Sequence, residues 1–263
     1  MWVLASVTVC ILVFIVGYIL RQGLPHISWT FLTESPRSMG REGGILPIIV
    51  GTLLVTGLGV LIAAPIGLAT AIYLTEYTRE TKLTAIIRFG ADCLAGIPSI
   101  IFGLFGFVFF AITLKLGLSV ISGALTLALM VLPTIIRTSE EAIRAVPRSF
   151  VDASYGLGST RWQMVTRVVL RCALPGISTG IVLSIGRSIG ETAAVMLTAG
   201  SALGFPRALS DSSRTLALHF YILSREGISM QNAYATASIL ILAILGINLA
   251  AYALMRRFVT RTT

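Results

Sequence analysis

Apolar residues run along this chain in long blocks separated by short polar stretches. A helix needs about 20 mainly apolar residues to cross a bilayer, and six blocks meet that length. Residues 2–20 carry no charge. They lack the basic leader and small-residue cleavage pattern of a signal peptide, so a retained helix is expected. Residues 43–75 are uncharged over 33 positions, longer than an upright span requires. This predicts one tilted or Pro65-kinked helix with an entry segment. The third predicted span, 93–114, is interrupted by Gly96 and Pro98. The others are 116–136, then 172–206, which holds Arg187 and Glu191, and finally 232–255. The pattern predicts an all-α membrane protein with six transmembrane helices, forming one membrane domain over residues 1–263.

Composition agrees. The 263 residues are 56% hydrophobic and only 12% charged, against about 25% charged in soluble domains. Too few charges remain to coat a soluble globule, and the chain lacks the polar or heptad-rich sequence of disorder or coiled coils. A net charge of +9 could suit phosphate groups of nucleic acid, but the placement of the charges favours topology instead. With both termini inside, the inner segments 76–92, 137–171 and the tail after Met255 hold 12 of the 20 Lys and Arg, and the outer segments hold 7. That is the positive-inside bias of a multi-pass protein in a cytoplasmic membrane, and no nucleic-acid partner is expected. Cys10, Cys93 and Cys172 show no CxxC pairing, so small buried thiols are expected rather than disulfides or a zinc site.

The connection 137–171 is too long for a simple turn. It reads as short helices: residues 139–146, stopped by Pro147, then 152–157, ended by Gly156 and Gly158, then a helix opened by Thr160 and Gln163 at capping-box spacing. Val146, Phe150, Tyr155, Leu157 and Trp162 alternate with Arg144, Arg148 and Arg161. Such a mixed face suits docking to a cytoplasmic partner, and equally a surface helix on lipid headgroups.

The run Asp152-Ala-Ser-Tyr-Gly-Leu-Gly158-Ser-Thr-Arg-Trp-Gln163 resembles the EAA loop of ABC-importer permeases, with Asp152 for Glu, Ser154 for the second Ala and Arg171 where Pro is expected. The resemblance implies a coupling helix seated in a cleft of an ATPase subunit, with Asp152, Ala153, Gly156 and Gly158 at the contact. Further stretches extend the likeness to nearly the whole chain: Gly43 to Thr52, Pro65 to Tyr77, Gly96-Ile-Pro-Ser99 to Leu104, and Gly186-Arg-Ser-Ile-Gly-Glu-Thr-Ala193, together with the loop from Phe31 to Gly44. They are similar to phosphate ABC permeases of the PstA type. This implies a type I ABC importer architecture and inorganic phosphate as cargo. The implied partners are a PstB-type ATPase dimer, a PstC-type second permease and an external PstS-type binding protein.

Arg187 and Glu191 lie four residues apart, which on a continuous helix puts them on one face. Charges at bilayer depth usually face a bundle interior or a watery cavity. Two readings compete: an intrahelical ion pair that only locks packing, or a lining of the path an oxyanion follows. Arginine presents a planar fork of donors suited to phosphate oxygens, and a nearby carboxylate would discourage a lingering anion. Ser99, Thr192 and Ser188 could add neutral hydrogen bonds, though Ser and Thr more often bond their own helix.

Other chemistry is thin. His26 and His219 are far apart, arguing against a metal pair or histidine catalysis. No nucleophile–base signature and no Walker A sequence occurs, so no enzyme activity, metal or cofactor is expected in this chain, and ATP-Mg is expected on the partner ATPase. Trp29 and Phe31 read as interfacial anchors. Glu140 and Glu141 read as a solvated, salt-bridged patch with Arg137 and Arg144. Another oxyanion such as molybdate or sulfate remains open as cargo. An ATP-independent carrier is disfavoured because no internal repeat is evident.

Overall fold

The computed structural model describes residues 2–78 and 81–259. Arg79 and the charges beyond Met255, which entered the topology count, lie outside the described side chains. Among the described residues, five helices are long and apolar enough to cross a membrane: α1 (Trp2–Gly23), α3 (Leu46–Tyr77), α6 (Val120–Arg144), α8 (Arg161–Ile189) and α11 (Met230–Val259). The shorter helices are α2 (Trp29–Thr33), α4 (Lys82–Ala95), α5 (Ser99–Thr113), α7 (Arg148–Gly156), α9 (Ala193–Thr198) and α10 (Leu216–Arg225).

The core is α3 against α6, with α8 on its flank. Small residues let the backbones approach: a Cβ on Gly59 would lie 2.9 Å from the Ala124 carbonyl oxygen, and one on Gly67 would lie 2.8 Å from Ile135 Cγ2. In lipid, where tails are as apolar as leucine, this close packing is what drives helices together. Val55, Ala63, Leu127, Val131 and Ile135 fill the seam. In contrast α1 is exposed along almost its whole length and touches the bundle mainly through α11, as expected of a helix facing lipid.

Several expectations are corrected or sharpened. The third span is interrupted at Gly96 and Pro98 as expected, but it starts earlier, at Lys82: α4 and α5 meet at 102° across Gly96, Ile97 and Pro98, because Pro98 holds an extended ψ of 140° and cannot continue α4. Cys93 therefore belongs to a different helix from Ser99. The fourth span begins at Val120 and continues to Arg144, absorbing the segment expected as a separate helix at 139–146. The fifth stops at Ile189, well short of residue 206. The three cysteines are exposed rather than buried, on helix faces with no partner in this chain. Phe31 is also not an interfacial anchor. It is 5% exposed and packs with Ile45, Ile48 and Leu216, while Trp29 is exposed.

Beyond α2, a two-stranded hairpin (β1, Pro36–Arg37; β2, Glu42–Gly43) pairs Pro36 with Gly43 and Arg37 with Glu42. Asn232 Nδ2 donates to the Gly40 and Arg41 carbonyls, both at 2.9 Å, and Arg41 Nε donates to the Ile228 carbonyl at 3.2 Å. These bonds clamp the hairpin to the start of α11.

At the opposite end Glu140 is not solvated. It is 2% exposed and receives Arg88 Nε at 3.0 Å, with Arg137 Nη1 at 3.6 Å and Arg144 Nη2 at 4.0 Å. Arg88 also donates to the Leu74 carbonyl at 3.2 Å, and Arg137 forks onto Asp92, its Nε 2.6 Å from Oδ1. One buried carboxylate thus ties α4 to α6 and to the end of α3. Removing it takes the shared buried anion away from Arg88, Arg137 and Arg144, and breaking a buried pair costs about 3 kcal/mol. Glu140→Ala should lower the apparent melting temperature of the detergent-solubilised protein. Glu141→Ala should not, and equal melting of the two variants would remove Glu140 from this role.

Candidate functional site

Two helix breaks, each with exposed glycine or proline, lie at the matching ends of α5 and α9. The first is Gly96 to Pro98, before α5. The second is Gly190 to Thr192, between α8 and α9. Gly103 of α5 brings them together, since a Cβ there would lie 2.8 Å from Ala194 Cα and 3.3 Å from the Ala193 carbonyl oxygen. Irregular backbone at membrane depth is tolerated only where it is buried in protein or lines a cavity. A cavity of about 440 Å³ does lie here, walled by Ile100, Thr192, Ala193, Met196 and Tyr221 among others. Thr192 lines it directly. Ser99 is the half-buried neighbour of Ile100 at the start of α5.

The expected Arg187–Glu191 helical face is not formed. Arg187 lies in the last turn of α8, where a cation complements the helix dipole. Glu191 lies beyond the helix end, so the four-residue spacing no longer implies a shared face. Its Oε1 instead accepts from the Ala194 backbone N–H at 3.3 Å and caps α9. Among the described residues no ion pair joins the two, and Arg187 stands exposed without a carboxylate partner. The packing-lock reading therefore loses its contact. Ser188 is buried with its hydroxyl unpartnered.

A residue that sequence reasoning missed also lies here. Asn248 of α11 places its Oδ1 3.9 Å from the Cβ position of Gly186, beside Arg187. The available signal was an amide isolated in an apolar span, which carries no spacing rule.

At the hairpin end, Arg214 is 7% exposed and donates from Nε to the Ser201 carbonyl at 2.9 Å, just past the C-terminus of α9. His219, in α10 outside the spans, is 1% exposed and lies 3.4 Å from Arg214 Nη1 through Nδ1. Burial, with the Arg214 charge adding to it, holds His219 down at a pKa of about 3, so it is neutral at ordinary pH. Asp211 in the preceding loop is held below the usual carboxylate range by the backbone N–H groups of Ala208 and Arg207. Among the described residues no metal-binding cluster occurs.

The 137–171 segment forms a second surface. Thr160 and Gln163 make the capping box that their spacing predicts, with Gln163 N–H on Thr160 Oγ1 at 3.3 Å and Thr160 N–H on Gln163 Oε1 at 3.0 Å. Gly158 turns the chain with φ of +79°, a conformation that disfavours a side chain. Val151 is buried on the cluster of Met164, Val165 and Val169, and the Ser154 and Ser159 hydroxyls pair at 2.6 Å. The opposite side of α7 presents Asp152, Ala153, Tyr155 and Gly156 to solvent, continued by Leu157 and Gly158. The four coupling residues named from sequence thus share one exposed surface on a firmly anchored helix.

Residues 63–263 match the family described as binding-protein-dependent transport system inner membrane component. The chain is 33% identical over 264 residues to the probable ABC transporter permease protein YqgI of Bacillus subtilis, covering 94% of this chain and 90% of that protein. It is 35% identical over 236 residues to the phosphate transport system permease protein PstA 1 of Mycobacterium tuberculosis, covering 89% and 77%. The fold resembles the inward-facing MetNI methionine ABC transporter, with a TM-score of 0.66 and 20% identity over 80% of this chain and 93% of that one. It also resembles a bacterial alginate ABC transporter, with a TM-score of 0.67 and 16% identity over 97% and 94%.

His219 makes stability sensitive to acid. Its folded pKa lies below the unfolded value near 6.5, so its contribution is complete above 6.5 and is lost as pH falls below that value. From pH 7 to pH 5 this amounts to about 2 kcal/mol. Thermal unfolding at the two pH values should show the loss in wild type and a flatter dependence in His219→Gln. An unchanged slope in the variant would assign the acid sensitivity to other groups.

Proposed function

The chain belongs to the family of binding-protein-dependent transport inner membrane components, and on that premise we propose that it carries inorganic phosphate through the membrane. That it is a membrane-spanning permease subunit of an ABC importer follows from the family. Phosphate as cargo is supported by relatives named as phosphate transport permeases at 31–36% identity. The observation that carries the reading is Arg187: a guanidinium in the last turn of a membrane span, exposed and without a carboxylate partner among the described residues.

In this reading Arg187 takes phosphate oxygens in a bidentate contact. Ser99 and Thr192, at the two facing breaks, offer neutral hydrogen bonds. Glu191 tunes the site indirectly, by capping α9 and fixing the break. Its negative charge also discourages an anion from lingering, and transient contact suits passage better than tight binding. No bond in the cargo is broken, and the chain itself needs no cofactor.

The energy comes from ATP-Mg hydrolysed on a PstB-type ATPase dimer. The surface of Asp152, Ala153, Gly156 and Gly158 receives that partner. Because α7 is packed onto the base of α8 and α6, motion of the ATPase is passed to the spans as rigid-body tilting, which alternates access to the site. A PstC-type permease completes the path, and a PstS-type protein delivers phosphate from outside. Both termini lie on the cytoplasmic side.

Uptake of labelled phosphate by the assembled transporter tests the site. Arg187→Gln should reduce uptake by an order of magnitude or more, with the ATPase still co-purifying, on the scale of losing one charged hydrogen bond of about 2–3 kcal/mol. Arg187→Lys should recover part of it. Wild-type rates in Arg187→Gln would overturn the assignment, and uptake of sulfate or molybdate in place of phosphate would move the cargo to that oxyanion. The coupling surface has its own test. Ala153→Trp should release the ATPase from the purified complex, and retained ATPase would place the contact elsewhere.

A further inference from the structure

A groove of about 940 Å³ runs between α7 and the side of α8. Its basic wall is Arg167 and Arg171, both exposed and neither with a carboxylate or hydrogen-bond partner among the described residues. Its apolar wall includes Phe150, Leu157, Val168 and Pro175. Arg171 is the last charge before 15 uncharged residues of α8, so it marks where that helix leaves the headgroup region for hydrocarbon.

We propose that this groove binds one anionic phospholipid of the leaflet on the 137–171 side. The two arginines take the headgroup phosphate, and an acyl chain follows α8 past Pro175, where Leu174 is already 52% exposed. Charge complementarity favours an anionic over a zwitterionic lipid, because the groove offers two cations and no carboxylate. The direction of the groove favours lipid over protein. It continues along α8 into the uncharged stretch, where a soluble subunit cannot follow. Ala153 and Gly158 also line it, so a bound headgroup would sit beside the proposed ATPase contact and help hold α7 against α8. Basic pockets beside transmembrane helices on the cytoplasmic side are known to recognise such headgroups.

The test is native mass spectrometry of the complete transporter, purified in mild detergent from membranes containing phosphatidylglycerol and cardiolipin. Wild type should retain one anionic lipid per copy of this chain. The double variant Arg167→Gln/Arg171→Gln should lose it, with affinity for phosphatidylglycerol falling about 30-fold in titrations of the delipidated complex. Arg167→Lys/Arg171→Lys should keep most of it. The ATPase should co-purify equally with all three proteins, because neither arginine lies on the proposed coupling surface. Absence of bound lipid in wild type, or equal lipid in wild type and the Gln variant, would overturn the proposal. Loss of the ATPase in the Gln variant would also overturn it, assigning the arginines to a protein interface.

Discussion

Inside a bilayer no water is present to satisfy a backbone amide, and the architecture follows from that constraint. Each apolar block must close its hydrogen bonds within itself, so it is helical. A helix may be interrupted only where protein or a cavity shelters the freed groups. The two interruptions, Gly96 to Pro98 and Gly190 to Thr192, are accordingly not scattered. Gly103 brings α5 and α9 into backbone contact, and Glu191 supplies an acceptor to one of the freed N–H groups. The same constraint that makes the spans helical makes their breaks the natural place for a polar site.

Charge is used sparingly, and each buried group has a distinct solution. Glu140 gathers three arginines and binds α4 to the bundle. Arg214 has no carboxylate contact among the described residues and instead donates to the Ser201 carbonyl just past α9, where the helix dipole favours a cation. His219 beside it stays neutral, which avoids two buried positive charges in contact. Arg187 shares the helix-end position but is exposed, with no carboxylate partner among the described residues, which is why the proposed anion contact is placed there.

In the proposed mechanism the segment 137–171 connects this site to the energy source. Its exposed side carries the proposed ATPase contact, its buried side is continuous with the packing of α3, α6 and α8, and its flank carries the basic groove. A helix packed on its buried side against the spans passes displacement on to them. The resemblance to methionine and alginate transporters, at 16–20% identity, is a likeness of fold.

Hydrophobic block length by itself determined the membrane class, the approximate number of crossings and the positions of their apolar centres, because span length is set by bilayer thickness. Local rules also sufficed for the capping box at Thr160 and Gln163 and for the turn at Gly158, since those bonds form between residues three or four apart. The EAA-like and GETA stretches carried the family. Only the tertiary structure decided how sharply the span bends at Gly96 and Pro98, that α8 ends at Ile189, and that Glu191 caps a helix instead of pairing with Arg187. It also revealed Glu140 as a buried hub and placed Asn248 beside Gly186. Each of these depends on contacts between segments distant in sequence. A charge in a loop of alternating polarity looks the same whether it is solvated or enclosed, and burial is a property of the packed bundle, not of the spacing that suggests it.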